Sequence, residues 1–126
     1  MSELTPYLCV ADARMAVDWY CRVLGAAVSS EPILMEDNRI GHVELSIDGA
    51  GFMMADEFPE ADVQGPDRGR GNAVTLHLTV ADVDSLAARI SDSGVNLDRG
   101  PESTEHGRVA VFRDPFGHRW FLNQPS

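Results

Sequence analysis

The chain repeats itself. Leu8-Cys9-Val10-Ala11-Asp12 returns 70 residues later as Leu78-Thr79-Val80-Ala81-Asp82. Behind each copy runs an apolar stretch at helical spacing, closed by Gly25 in the first half and by Gly94 in the second. Further on, Val43…Asp48…Gly51 aligns with Val109…Asp114…Gly117 at an offset of 66. A phased duplication of about half the chain restricts the fold to one supersecondary unit used twice, and directs attention to the space between the copies.

The unit can be read from its periodicities. Residues 4–10 suit a strand, and Asp12 is a good N-cap for the helix that follows. Met15, Ala16, Trp19, Tyr20, Val23 and Leu24 fall on one amphipathic stripe. Gly25 supplies the left-handed position that ends the helix. Strands are expected at 26–36, 39–48 and 51–56, with turns at Asp37-Asn38 and Asp48-Gly49. Residues 57–72 carry Pro59, Pro66 and Arg68-Gly69-Arg70-Gly71, and read as a linker and mobile loop. The second copy then supplies a strand at 73–80 and a helix capped by Asp82, with Val83, Leu86, Ala87 and Ile90 on one face. Strands at 95–99, 107–113 and 118–123 complete it. Each copy is βαβββ. The expected fold is α+β: one domain over residues 1–126, in which two modules, about 4–56 and 73–124, form a cupped mixed sheet around a cleft.

Strand parity sorts the side chains. Leu8 and Val10, Leu76, Leu78 and Val80, Val43, Leu45 and Ile47, and Val109 and Val111 are expected to face the helices. The opposite face then carries Tyr7, Cys9, His42, Glu44, Ser46, Thr75, His77, Thr79, Arg108 and Phe112. That set is too polar for a core and too aromatic for plain solvent, as suits the lining of a ligand cleft.

Composition narrows the function classes. A net charge of −10 argues against nucleic acid, whose binding needs basic groups to displace counterions. It favours a cationic ligand through long-range attraction, or serves solubility. The N-terminus, Met1 to Pro6, has neither a basic start nor an apolar h-region, and no run approaches the roughly 20 residues that span a bilayer. Cys9 and Cys21 show no metal spacing, so a reducing cytoplasm is the expected location.

Paired βαβββ units ending in Asp114-Pro115-Phe116-Gly117-His118-Arg119-Trp120, with Val80-Ala81-Asp82-Val83-Asp84 and the helix end Tyr20…Leu24-Gly25, resemble the vicinal oxygen chelate superfamily. That group includes glyoxalase I, extradiol dioxygenases, fosfomycin-resistance enzymes and bleomycin-binding proteins, so the fold alone does not name the chemistry. The resemblance implies a metal ligand on the first strand of each copy, seven residues before the helix-capping aspartate. Here those positions are Thr5 and Thr75. It also implies a glutamate four residues after the turn glycine, which here is Phe121, with Ala55 or Met54 as its echo. Threonine is a poor ligand, and the other three offer a hard divalent cation nothing. No metal and no cofactor are expected.

His77 is the leading candidate for acid–base work or ligand contact, opposite Tyr7 in the repeat, and Glu44 is the second. The bland alternative for His77 is a ring satisfied by Thr75, Thr79 or Tyr7. A displaced metal site of His42, Glu44 and His77 is chemically allowed, though no spacing selects it. If Phe121 lines the cleft, so do Arg119 and Asn123, while Trp120 joins Trp19 in the core. Met53 adds adaptable surface, and Phe52 and Met54 suit the core. The expected ligand-binding set is therefore Tyr7, His42, Glu44, Met53, His77, Arg108, Phe112, Arg119 and Phe121. The expected function is metal-independent binding of a small organic ligand, a cationic one being favoured by the net charge, by a homodimer similar to antibiotic-sequestering resistance proteins. The alternative is a glyoxalase- or dioxygenase-type enzyme using a displaced metal or a His/Glu pair.

Overall fold

The computed structural model describes all 126 residues. They form two compact units, Met1–Pro66 and Asp67–Ser126. The first unit runs β1 (Tyr7–Val10), α1 (Ala13–Val23), β2 (Ala27–Leu34), β3 (Ile40–Ile47), β4 (Ala50–Asp56) and a short 3-10 turn at Pro59–Ala61. The second runs β5 (Thr75–Thr79), α2 (Val83–Asp92), β6 (Leu97–Thr104), β7 (Gly107–Arg113) and β8 (Arg119–Gln124). Strand order is β1-β4-β3-β2 in one sheet and β5-β8-β7-β6 in the other. In each, the first and last strands run parallel and the remaining pairs are antiparallel. The βαβββ reading holds in both halves.

Local chemistry explains the match. Asp12 accepts from the Met15 amide and Asp82 from the Ser85 amide, both at 3.1 Å, satisfying a free donor at each helix start. A second acceptor arrives from the last strand of each unit. Asp56 Oδ1 takes the Ala13 amide at 2.6 Å, and Gln124 Oε1 takes the Val83 amide at 3.0 Å. Gly25 and Gly94 end the helices at φ +73° and +96°, a region other residues enter at a cost.

Each sheet buries one face against its own helix. In the first unit Val10, Ala16, Tyr20, Val43, Leu45 and Met54 are essentially inaccessible. Tyr20 meets Trp19 and Phe52 edge-on at 5.5 and 5.6 Å, a geometry worth about 0.5–1.5 kcal/mol beyond area burial. Met15 does not join them. It is 63% exposed, because the buried stripe runs from Ala13 through Ala16, Trp19 and Tyr20 to Val23, and Met15 falls on its flank.

Three further expectations are corrected. First, β6 continues past residue 99 to Thr104, through Gly100-Pro101, with register shifts against β7. Proline survives there because β6 is an edge strand and owes no amide on its outer side. In the first sheet the edge strand β2 likewise carries Pro32 among register shifts. Second, the first part of the expected 57–72 loop is built structure. Phe58 and Val63 bridge each other, and Arg39 ties the turn down through Glu57 O and the Glu60 carboxylate. Third, the parity of β7 is shifted by one residue. Val43 pairs with Met54, whereas Ala110, not Val109, pairs with the equivalent Leu122. The cause is the turn: two residues separate β3 from β4, and five separate β7 from β8.

Candidate functional site

In the first unit, the sheet face turned away from α1 presents Tyr7 and Cys9 from β1, His42 and Glu44 from β3, and Met53 and Ala55 from β4. Cross-strand register places Tyr7 beside Met53, Met53 beside Glu44, and Cys9 beside Ala55. Four expected ligand-binding residues are thereby brought together. The Tyr7 hydroxyl donates to Gly41 O at 2.9 Å and lies 2.9 Å from His42 Nδ1. His42 Nε2 lies 3.3 Å from Glu44 Oε1, and the Tyr7 and His42 rings meet edge-on at 5.2 Å. Tyr7 has one proton and gives it to Gly41, so His42 Nδ1 is the donor in its contact with Tyr7. Loss of water at its hydroxyl pushes the Tyr7 phenol up.

Beside this relay lies a cavity of about 420 Å³, lined by Tyr7, Leu8, Cys9, Gly41, Ala55, Phe58, Ala61 and Val63. Its wall from Phe58 to Val63 is the segment held by Arg39, whose guanidinium also stacks 4.0 Å above the Phe58 ring. Glu60 pairs with that guanidinium at 2.6 Å, which holds its carboxyl down at about 2. The Cys9 thiol is pushed up to about 11, first by burial and then by the charges of Glu57 and Asp56. A thiol so placed stays protonated and is a poor nucleophile. A second cavity of about 330 Å³ is lined by Thr5, Glu44, Phe52 and Met53, with Glu3, Leu4, Ser29, Leu45 and Gly51.

In the second unit the face away from α2 carries Thr75 and His77 from β5, Arg119 and Phe121 from β8, and Val111 and Arg113 from β7. His77 stacks on Phe121 with ring centroids 5.4 Å apart. Arg119 Nη1 donates to Thr75 Oγ1 at 2.8 Å. Arg108 and Phe112 are corrections: both lie on the opposite side. Arg108 forms a two-pronged pair with Asp84 on α2, each contact 2.9 Å, and this lowers the Asp84 pKa. Phe112 is fully buried, with its ring parallel to that of Trp120 at 6.3 Å. Trp120 is a core residue as expected, and its indole donates to the buried Asp114 at 2.8 Å. Asp114 Oδ1 also takes the Phe116 and His118 amides, locking the turn before β8. Arg113 and Arg39 were not singled out from sequence, whereas Glu57-Phe58-Pro59-Glu60 suits an acidic cleft edge in the repeat and here forms part of the cavity wall. Correct β7 parity would have flagged Arg113 opposite Arg119.

The donor set does not fit a divalent metal. Thr5 precedes β1, Thr75 opens β5, and Phe121 lies in β8. The residue of β4 equivalent to Phe121 is Met53, since Tyr7 faces Met53 as His77 faces Phe121; Ala55 and Met54 are therefore displaced echoes. Within neither unit do three His, Cys, Asp or Glu side chains come together as metal ligands.

Two βαβββ units, each with one helix-covered and one open sheet face, define the architecture of the vicinal oxygen chelate proteins. Residues 4–122 match the family model of the Glyoxalase/Bleomycin resistance protein/Dioxygenase superfamily, and the chain belongs to that superfamily. It is 36% identical to the uncharacterized protein Rv0887c of Mycobacterium tuberculosis, over 97% of this chain and 74% of that one. It is similar in structure to TnmS3, an antibiotic binding protein from a Streptomyces species, with 28% identity, a TM-score of 0.73, and coverage of 100% and 98%. TioX from a Micromonospora species shares the fold at 23% identity and a TM-score of 0.74, each chain covered in full. No helix is long and apolar enough to cross a membrane.

Proposed function

We propose that this protein binds a small organic ligand without a metal ion, as antibiotic-sequestering members of the superfamily do. The observation that carries the reading is the 420 Å³ apolar cavity of the first unit, bordered by the Tyr7–His42–Glu44 relay. Apolar walls with a few placed polar groups are what a drug-sized ligand needs, and sequestration needs no catalyst. The replacement of metal donors by Thr5, Thr75, Met53 and Phe121 supports it, as does similarity to an antibiotic binding protein. Glu3 and Glu44 on the neighbouring cavity suit a cationic substituent.

In this reading the two units act as one glyoxalase-like domain. Cys9 and Cys21, neither in a disulfide, suit the reducing cytoplasm. A homodimer would cover Val28, Ile33, Leu34 and Met35, which are 43–58% exposed on and beside β2. Light scattering at tens of micromolar tests the dimer; a monomer mass would remove it.

Thermal-shift and calorimetric titration against aromatic antibiotics, each with EDTA and with added Mn²⁺ or Zn²⁺, test the function. The expected result is a melting-temperature rise indifferent to EDTA. Binding that appears only with metal would overturn the proposal.

A further inference from the structure

All ten basic residues of this acidic chain are arginines. Arg22, Arg39, Arg99 and Arg108 each pair with a carboxylate. Arg113 and Arg119 do not, although they are directly opposite each other across β7 and β8. Side chains at directly opposed positions have Cβ atoms about 4.5–5.5 Å apart, and like charges there destabilise the sheet. Guanidinium does not escape by losing its proton. Both residues are half-buried, so water relieves the repulsion only in part. Two permanent cations rooted at directly opposed positions with no carboxylate partner are a poor structural device and a good receptor.

We propose that Arg113, Arg119 and Thr75 form an oxyanion site on the open face of the second sheet, taking the carboxylate or phosphoryl group of a small organic molecule. The three residues lie in a row on adjacent strands β7, β8 and β5. Thr75 Oγ1 accepts one Arg119 N–H, which fixes the guanidinium and leaves the hydroxyl hydrogen free to donate. Arg119 keeps four further N–H donors and Arg113 all five, in the fork geometry that carboxylate and phosphate match bidentately. Beside them on the same face, Phe121 stacks on His77, offering apolar surface to an aryl body attached to the anion. This site lies in the second unit and does not depend on the cavity of the first. It also runs against the cationic preference suggested by the net charge of −10, because short-range chelation is set by local groups and not by the total.

The test uses the intact protein with phenyl phosphate, benzoate, inorganic phosphate and, as a cation control, benzylamine, followed by calorimetry and thermal shift. Phenyl phosphate or benzoate is expected to bind and raise the melting temperature, and benzylamine to leave the second unit unaffected. Arg119→Gln or Arg113→Gln should weaken oxyanion binding about 10-fold or more, and Arg119→Lys should restore only part of it, since a point charge lacks the fork. Tighter binding of phenyl phosphate than of inorganic phosphate assigns the occupant to an organic anion; equal binding assigns it to the free ion. A merely structural pair predicts that ligand-free Arg113→Gln melts below wild type, whereas a receptor pair predicts an equal or higher melting temperature through relieved repulsion. Failure of every oxyanion to bind wild type, or binding unchanged in both Gln variants, would overturn the site.

Discussion

Asp114 and Trp120 face each other in the core of the second unit, carboxylate to indole at 2.8 Å, six residues apart across one turn. The contact couples the Asp-Pro-Phe-Gly turn to the layer between sheet and helix. One carboxylate thereby serves two amides and an indole, and each of its oxygens is used.

Asp114→Asn should therefore be costly despite its nearly unchanged shape. The amide must present an N–H either to the indole N–H or to the two backbone donors, leaving at least one buried donor without an acceptor. A loss of about 2–3 kcal/mol is expected, with a melting temperature about 10 °C lower by calorimetry.

Arg39→Ala should release the cavity wall. Its guanidinium stacks on Phe58 and pairs with Glu60, and both contacts disappear together. Hydrogen exchange at the Phe58, Ala61 and Val63 amides should accelerate severalfold while α1 is unaffected. The effect has a pH signature. Glu60 titrates lower in the folded protein, at about 2, than its ordinary value of 4.5. Its contribution is present above pH 4.5 and fades as pH falls toward 2, so the difference between variant and wild type should narrow over that window.

Cys9 reports on the cavity it lines. With its thiol at about 11, roughly one molecule in a thousand is thiolate at pH 8. Iodoacetamide should modify it slowly at pH 8 and much faster as pH rises toward 11, and a cavity ligand should suppress the reaction further. Fast labelling at pH 8 would place the thiol outside the pocket described here.

A metal site can be built into the first unit if the register is right. Thr5, Met53 and Glu44 line one cavity. Thr5→His with Met53→Glu supplies, beside native Glu44, one imidazole and two carboxylates. Zinc at 100 times its dissociation constant should stabilise the double variant by about 2.7 kcal/mol and leave the parent unmoved. A folded variant indifferent to zinc would show that these side chains do not converge.

Sequence showed the architecture because duplication repeats its signals: Asp12 and Asp82 cap, Gly25 and Gly94 stop, and alternation sorts β1, β3, β4, β5 and β8. It misled at β7. Aligning Asp48 with Asp114 treats a two-residue turn and a five-residue turn as equals, and a single-residue slip exchanges the faces of a strand. Arg108 and Phe112 went to the wrong side for that reason, and Arg113 was overlooked. The tie that fixes the Phe58–Val63 wall was hidden for another: Arg39, just before β3, reaches it across some twenty residues, as its contact with Glu60 at a separation of 21 shows, and local pattern cannot carry that.

Pro32 and Pro101 sit on β2 and β6, one edge strand of each sheet, each amid broken register. A proline presents no amide to an incoming chain, and an irregular rim does not template a straight one. Sheet extension from one molecule to the next is thereby interrupted at these two edges. Association through β2 then proceeds by side chains meeting side chains rather than by added strands. Apolar groups can stand beside β2 without that edge templating a fibre.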